Sequence, residues 1–135
     1  MPIRLLLADD NAEFLMGLRF LFESCRDIVV VGEAASGVDA VRLAQVCRPD
    51  VALLDVRMPG LSGIEAARRI VLHSPAPAVI LCSILVDQSY VIEAAKAGAV
   101  GYISKTASPA DLLNAVRMAA KGGTWFDPLA GGASA

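Results

Sequence analysis

Five short apolar segments alternate along this chain with five stretches whose apolar residues recur at helical spacing. The apolar segments start about 22 to 27 residues apart, and each has the length of a β-strand. Strands that are apolar on both faces need cover on both faces, which amphipathic helices provide. Because such crossovers are right-handed, the pattern predicts a doubly wound α/β fold around a five-stranded parallel sheet. The predicted strands cover residues 3–8, 28–31, 51–54, 78–82 and 100–103.

The helical patterns lie between and after these strands. In the first, Phe14, Leu18 and Phe22 fall on one face of a helix predicted over residues 11–24. The last of the five helices ends at Gly122-Gly123, since glycine is typical of the position just after a helix. No periodicity follows, so we predict one domain over residues 1–123 and the start of a linker over 124–135.

The composition limits the class of protein. The chain has 135 residues, of which 56% are hydrophobic and 19% are charged, as expected for one folded domain and not for a disordered chain. No apolar run approaches the roughly 18 residues of a membrane helix, and no signal peptide is recognisable. Three cysteines without a C-x-x-C pair indicate free thiols in a reducing cytoplasm.

The charge balance argues against nucleic acid as a direct partner. The net charge is -2, and the twelve lysines and arginines are scattered along the chain. A nucleic-acid-binding surface needs a basic patch or stripe to neutralise phosphates. We therefore expect no direct DNA or RNA binding by these residues.

Polar residues follow four of the five predicted strands. Asp9 and Asp10 follow the first strand, Asp55 the third, Ser83 the fourth and Lys105 the fifth. Because ligands bind beyond the carboxyl ends of strands in an open parallel sheet, these side chains are expected to share one edge.

Three carboxylates at one edge repel one another, and a hard divalent cation relieves the repulsion. Magnesium bound by a few carboxylates and water is the usual solution. A nearby lysine ammonium suits a phosphoryl oxygen, and a small hydroxyl can bond another. Since a carboxylate can also accept a phosphoryl group covalently, Asp55 is the candidate nucleophile.

As a set, these residues resemble the receiver domain of two-component response regulators, and the resemblance covers residues 3 to about 126. It implies a flavodoxin-like fold with strand order 2-1-3-4-5 and five helices. The segment from Gly122 to Pro128 resembles receivers of the LuxR/NarL type, which precede a helix-turn-helix output domain. The matching residues are Asp9-Asp10, Asp55-Val56-Arg57-Met58-Pro59-Gly60 with Gly63, Ser83, and Gly101-Tyr102-Ile103-Ser104-Lys105.

The resemblance also implies a role for each site residue. Asp55 is expected to take a phosphoryl group from a histidine kinase, and Lys105 to contact that group. Mg2+ is expected on Asp9, Asp10, Asp55 and the backbone carbonyl of Arg57. Ser83 and Tyr102 are expected to transmit phosphorylation to the surface, with Tyr102 rotating from exposed to buried. The implied protein is a cytoplasmic signalling switch, not an enzyme, that can form a homodimer when phosphorylated.

Other functions on this architecture fit the residues less well. A phosphatase with an aspartate nucleophile needs a second Asp where Arg57 stands. A flavin or dinucleotide site needs a glycine-rich phosphate loop after the first strand, where Asp9-Asp10-Asn11-Ala12 would repel phosphates. A serine hydrolase needs G-x-S-x-G and a histidine at the same edge, whereas His73 is predicted to lie far away. A pseudo-receiver, acting only by protein contact, would lack one of the acidic or lysine residues, and none is missing.

Overall fold

A computed structural model of the chain describes residues 1–126, and within them helices and strands alternate as predicted. The sheet is parallel in the order β2-β1-β3-β4-β5-β6, which confirms the predicted order of the first five strands. Among these residues, no helix combines the length and the apolar character needed to cross a membrane. The strands are β1 (Ile3–Ala8), β2 (Ile28–Ala34), β3 (Val51–Leu54), β4 (Ala78–Ser83), β5 (Gly101–Ser104) and β6 (Trp125–Phe126). The helices are α1 (Ala12–Glu23), α2 (Gly37–Cys47), α3 (Gly63–Val71), α4 (Gln88–Lys96) and α5 (Pro109–Ala120).

The sixth strand corrects the predicted strand count. Gly122, at a φ of 86°, reverses the chain after α5, and Trp125 N–H then donates to the carbonyl oxygen of Val100 at 3.0 Å. The two residues of β6 pair in parallel with β5, whose backbone groups would otherwise be unpaired at the sheet edge. A strand of two residues is too short to show a period of two in sequence. The remainder of the predicted linker, residues 127–135, lies outside the described residues.

The strands are apolar throughout because each contributes to two cores. In β1, Leu5 and Leu7 face one layer and Leu6 and Ala8 face the other, and all four are buried. The first layer packs under α1 and α5, and partly buried Trp125 packs against it. The second layer packs under α2, α3 and α4.

Polar side chains set the starts of four helices. A serine or asparagine at the N-cap accepts a hydrogen bond from the backbone N–H three residues later, which satisfies a donor that the helix leaves free. The cap of α1 is Asn11, whose side chain accepts from Phe14 N–H at 3.1 Å. This places the first turn of α1 directly beside the carboxyl end of β1. The other three caps are Ser36, Ser62 and Ser108.

Candidate functional site

The polar residues predicted at the strand ends meet at the carboxyl edge of the sheet. Asp9 follows β1, Asp55 follows β3, Ser83 ends β4 and Lys105 follows β5. Backbone hydrogen bonds between neighbouring strands continue as far as two of these residues. Asp55 N–H donates to the carbonyl oxygen of Ala8 at 2.9 Å, and Lys105 N–H donates to the carbonyl oxygen of Ser83 at 3.0 Å. Side chains that are 22 to 96 residues apart in sequence are therefore held on a rigid frame.

Three carboxylates converge at this edge. Asp9, Asp10 and Asp55 each offer one oxygen, and these oxygens all lie within 4.8 Å of one another. Asp9 and Asp55 are buried, with exposed fractions of 2% and 6%, whereas Asp10 opens to solvent. Hard oxygen donors with one open side suit Mg2+, which keeps several of its own waters. The donor set therefore fits the predicted cation.

Arg57 lies beside this cluster in the loop after β3. Its side chain is exposed, and with Asp10 it lines an open groove of about 540 Å3. The groove gives access to the acidic cluster from solvent. Its other lining residues are Val56, Met58, Pro59, Gly60, Ser62, Leu85 and Tyr90.

Lys105 bridges the two buried carboxylates. Its Nζ lies 2.7 Å from Oδ2 of Asp9 and 3.3 Å from Oδ2 of Asp55, and its side chain is only 14% exposed. Burial alone would lower the pKa of Lys105, but the hydrogen bond to Asp9 and the charge of Asp55 outweigh burial and raise it. The ammonium therefore stays charged at neutral pH.

The carboxyl group of Asp55 is held at a raised pKa. Burial is the largest cause, repulsion by Asp9 adds to it, and Lys105 compensates only in part. A raised pKa favours the protonated acid in the folded state, so ionising Asp55 costs folding free energy as pH rises through that pKa. Because repulsion by Asp9 is one cause of the raised pKa, a cation that binds at this site would favour the ionised form of Asp55.

Ser83 and Tyr102 both form hydrogen bonds to Leu85 in the loop between β4 and α4. Leu85 N–H donates to Oγ of Ser83 at 3.0 Å, and the Tyr102 hydroxyl donates to the carbonyl oxygen of Leu85. Tyr102 is fully buried, so the side chain expected to start exposed is already inside the protein. Burial raises the pKa of its hydroxyl, and a hydrogen-bond contribution from Ser83 opposes the rise. Ile84, which lies between Ser83 and Leu85 in sequence, is 68% exposed.

Phe14 lies beside the site, next to Lys105, although the sequence pattern predicts only that it faces the core. The Nζ atom of Lys105 lies 4.6 Å from the centroid of the Phe14 ring. The sequence predicts Phe14 as one apolar position of an amphipathic helix, and nothing in the pattern indicates that Phe14, unlike Leu18, contacts the site. The contact depends on how α1 packs against the end of β5.

Two other reactive side chains lie apart from this chemistry. His73 follows α3 and is exposed, with Nδ1 3.0 Å from the carbonyl oxygen of Arg69. It lies near the start of β4, at the edge opposite the carboxylates, as predicted. Cys82 is buried, and burial raises the pKa of its thiol to about 12, so the thiol stays protonated.

Comparison with known proteins identifies the family. The family model described as the response regulator receiver domain matches residues 5–117 of this chain. The chain is 41% identical over 124 residues to the transcriptional regulatory protein YxjL of Bacillus subtilis (strain 168), covering 92% of this chain and 57% of YxjL. It is 37% identical over 121 residues to the nitrate/nitrite response regulator NarL of Escherichia coli (strain K12), covering 90% of this chain and 56% of NarL.

A solved structure agrees with these relatives. The crystal structure of a LuxR-family two-component response regulator from Aurantimonas sp. SI85-9A1 superposes with a TM-score of 0.90 at 32% identity, covering 95% of this chain and 91% of that chain. The present chain spans little more than half the length of the curated relatives named above. With the family model matching most of its length and with relatives of the LuxR/NarL type, this chain belongs to the response regulator receiver domain family.

Proposed function

We propose that this chain is a phosphorylation-controlled switch in which Asp55 accepts a phosphoryl group from a histidine kinase in the presence of Mg2+. The observation that carries the proposal is the position of Lys105, whose ammonium bridges Asp9 and Asp55 inside an acidic cluster. A nucleophile, an acidic metal-binding set and a cation for a phosphoryl oxygen then lie within one small site.

The transfer is a substitution at phosphorus. A carboxylate oxygen of Asp55 forms the new P–O bond while the P–N bond of the kinase phosphohistidine breaks. The electron pair of that bond stays on the imidazole nitrogen, which then takes a proton. Lys105 already contacts the Asp55 carboxylate. When that carboxylate loses its negative charge by forming the P–O bond, the Lys105 ammonium donates a hydrogen bond to a phosphoryl oxygen instead.

Asp9, Asp10, Asp55 and the Arg57 carbonyl are the groups proposed to hold Mg2+. The ion supplies positive charge to the phosphoryl oxygens, which lowers the repulsion between an anionic donor and an acidic site. Without a cation, one lysine faces three carboxylates. The acceptor is part of the protein itself, so the chain acts as a switch that is later dephosphorylated, and not as an enzyme with turnover.

The wider role follows from the relatives, whose names describe transcriptional and nitrate/nitrite response regulators. We propose that the receiver comprises residues 1–123 and that 124–135 begin a linker, whose residues Trp125–Phe126 pair with the receiver sheet as β6. The proposed output is transcription through a helix-turn-helix domain outside these 135 residues. The proposed location is the cytoplasm, where the kinase presents its phosphohistidine. Phosphorylation is proposed to favour a homodimer.

Treatment with acetyl phosphate and Mg2+ is expected to add one phosphoryl group to the protein. Intact-mass spectrometry measures the addition, and peptide mapping locates it on Asp55. Excess EDTA is expected to abolish the product, because the acidic cluster then has no divalent cation to offset its charge. Undiminished labelling in EDTA, or a phosphoryl group on another residue, would contradict the proposal.

Replacing Ser83 by Ala is expected to leave Asp55 phosphorylatable but to weaken the signal beyond it. The Ser83 hydroxyl now accepts from Leu85 N–H, and a phosphoryl group at Asp55 offers it an acceptor that draws this loop inward. NMR shifts of residues 84–106, recorded with and without beryllofluoride, should change less in Ser83→Ala than in wild type.

Ser89→Ala is the matched control, since Ser89 is exposed in the first turn of α4. Its beryllofluoride-induced shifts should equal those of wild type. If Ser83→Ala also responds like wild type, Ser83 does not transmit the signal. We propose that Tyr102, which is buried and bonded to Leu85 in this structure, transmits phosphorylation together with Ser83.

A further inference from the structure

We propose that Phe14 is a positioning residue for Lys105, holding its ammonium over the acceptor carboxylate through a cation–π contact. The centroid of the Phe14 ring lies 4.6 Å from Nζ of Lys105, within the range of such contacts. The same Nζ contacts Asp9 and Asp55, so the ring covers a further side of the ammonium. The role in phosphorylation rests on the proposed function of Asp55, whereas the contact itself does not.

The ring is held in place by a closed chain of contacts at the start of α1. Asp9 accepts from Asn11 N–H through Oδ1, at 2.8 Å, and from Lys105 through Oδ2, at 2.7 Å. Asn11 in turn caps the helix by accepting from Phe14 N–H at 3.1 Å. The path Asp9–Asn11–Phe14–Lys105 therefore returns to Asp9. One aspartate fixes both the lysine and the helix turn that presents the ring.

Packing fixes the ring from its other side. Phe14 is partly buried against the layer formed by β1, α1 and α5, next to buried Leu18 and Phe22. Lys105 keeps only 14% of its side chain exposed, and the ring excludes water from one side of it. Cation–π attraction strengthens when the cation is partly desolvated, as it is here.

An aromatic face suits a lysine that must change partners. The ring attracts the ammonium through its quadrupole, but it does not accept a strong hydrogen bond from the ammonium as a carboxylate does. The N–H groups of Lys105 thus remain free to move from the Asp55 carboxylate to a phosphoryl oxygen while the ring contact persists. A leucine of similar bulk would fill the space without attracting the charge.

The test compares Phe14→Leu with Phe14→Tyr in the 135-residue chain. With acetyl phosphate and saturating Mg2+, Phe14→Leu should be phosphorylated about two- to fivefold more slowly than wild type, the range that a partly exposed cation–π contact supports. Phe14→Tyr keeps an aromatic face and should retain the wild-type rate. Phe20→Leu is the control, because it makes the same change on α1 at a side chain that is 81% exposed.

A spectroscopic measurement on the metal-free, unphosphorylated protein tests the contact directly. In wild type, the ε-methylene protons of Lys105 should be shifted upfield by the ring current of Phe14. Phe14→Leu should abolish this shift and Phe14→Tyr should preserve it, whereas Phe20→Leu should leave it unchanged. Urea unfolding of each variant shows whether the fold is retained under assay conditions.

A double-mutant cycle separates positioning from general damage to α1. If Phe14 acts through the ammonium, Phe14→Leu should slow phosphorylation little further in a Lys105→Met background. Equal slowing in both backgrounds, a wild-type rate for Phe14→Leu, or an unshifted ε-methylene signal in wild type would overturn the inference. Absence of any label on wild-type Asp55 would instead overturn the proposed function, and the ring-current measurement would still test the contact.

Discussion

Replacing Asp55 by Asn is expected to abolish phosphorylation of this protein by acetyl phosphate and Mg2+. Asparagine keeps the shape of the buried side chain, but its amide is too poor a nucleophile to form the P–O bond. The change also removes one of the three clustered carboxylates and one of the two ion-pair partners of Lys105. Intact-mass spectrometry should show no added phosphoryl group under conditions that label wild type.

Asp39→Asn provides the control for the same chemical change elsewhere. Asp39 is a half-exposed residue in the first turn of α2 whose carboxylate pairs with Arg42 and does not belong to the cluster of Asp9, Asp10 and Asp55. This variant should be labelled like wild type. A phosphoryl group that still appears on Asp55→Asn would show that another residue is the acceptor, and the site described above would then need a different chemistry.

Replacing Gly63 by Ala is expected to destabilise the fold strongly. An ideal Cβ at this position would lie 1.8 Å from the backbone oxygen of Asp55 and 2.7 Å from its carbonyl carbon. The backbone cannot retreat easily, because Gly63 N–H donates to the carbonyl of Val56 at 2.8 Å and starts α3. We expect a loss of about 3 kcal/mol in the free energy of unfolding, at the upper end for overpacking. Urea denaturation followed by circular dichroism measures it.

Gly17→Ala is the matched comparison for this substitution. A Cβ at Gly17 would meet no atom within 4 Å, and the residue lies inside α1. Because alanine is a better helix former than glycine, this variant should gain about 0.5–1 kcal/mol. A Gly63→Ala protein that unfolds at the wild-type urea concentration would mean that the segment after Asp55 is less rigid than the hydrogen bond to Val56 implies.

Much of the fold is determined by the order of residue types along the chain. Continuous apolar runs such as Leu5-Leu6-Leu7 require cover on both faces, which leaves a parallel sheet between helices as the solution. Once the strands are parallel, Asp9, Asp55 and Lys105 must share an edge, because each follows its strand directly. The site was predictable for this reason: its members depend on strand ends, which local sequence marks well.

The remaining features depend on distances that no local pattern encodes. β6 forms because Trp125 and Phe126 pass beside the free edge of β5. Its backbone hydrogen bonds to β5 stabilise it, and no strand pattern in its own two residues predicts it. Tyr102 is buried in the layer under α2, α3 and α4, where Leu85, 17 residues away in sequence, accepts the hydrogen bond of its hydroxyl. Phe14 meets Lys105, and Gly63 meets the backbone of Asp55, only after helices and strands have packed. Sequence determines which groups reach the edge of the sheet, whereas packing between distant elements decides which way they point and what they touch.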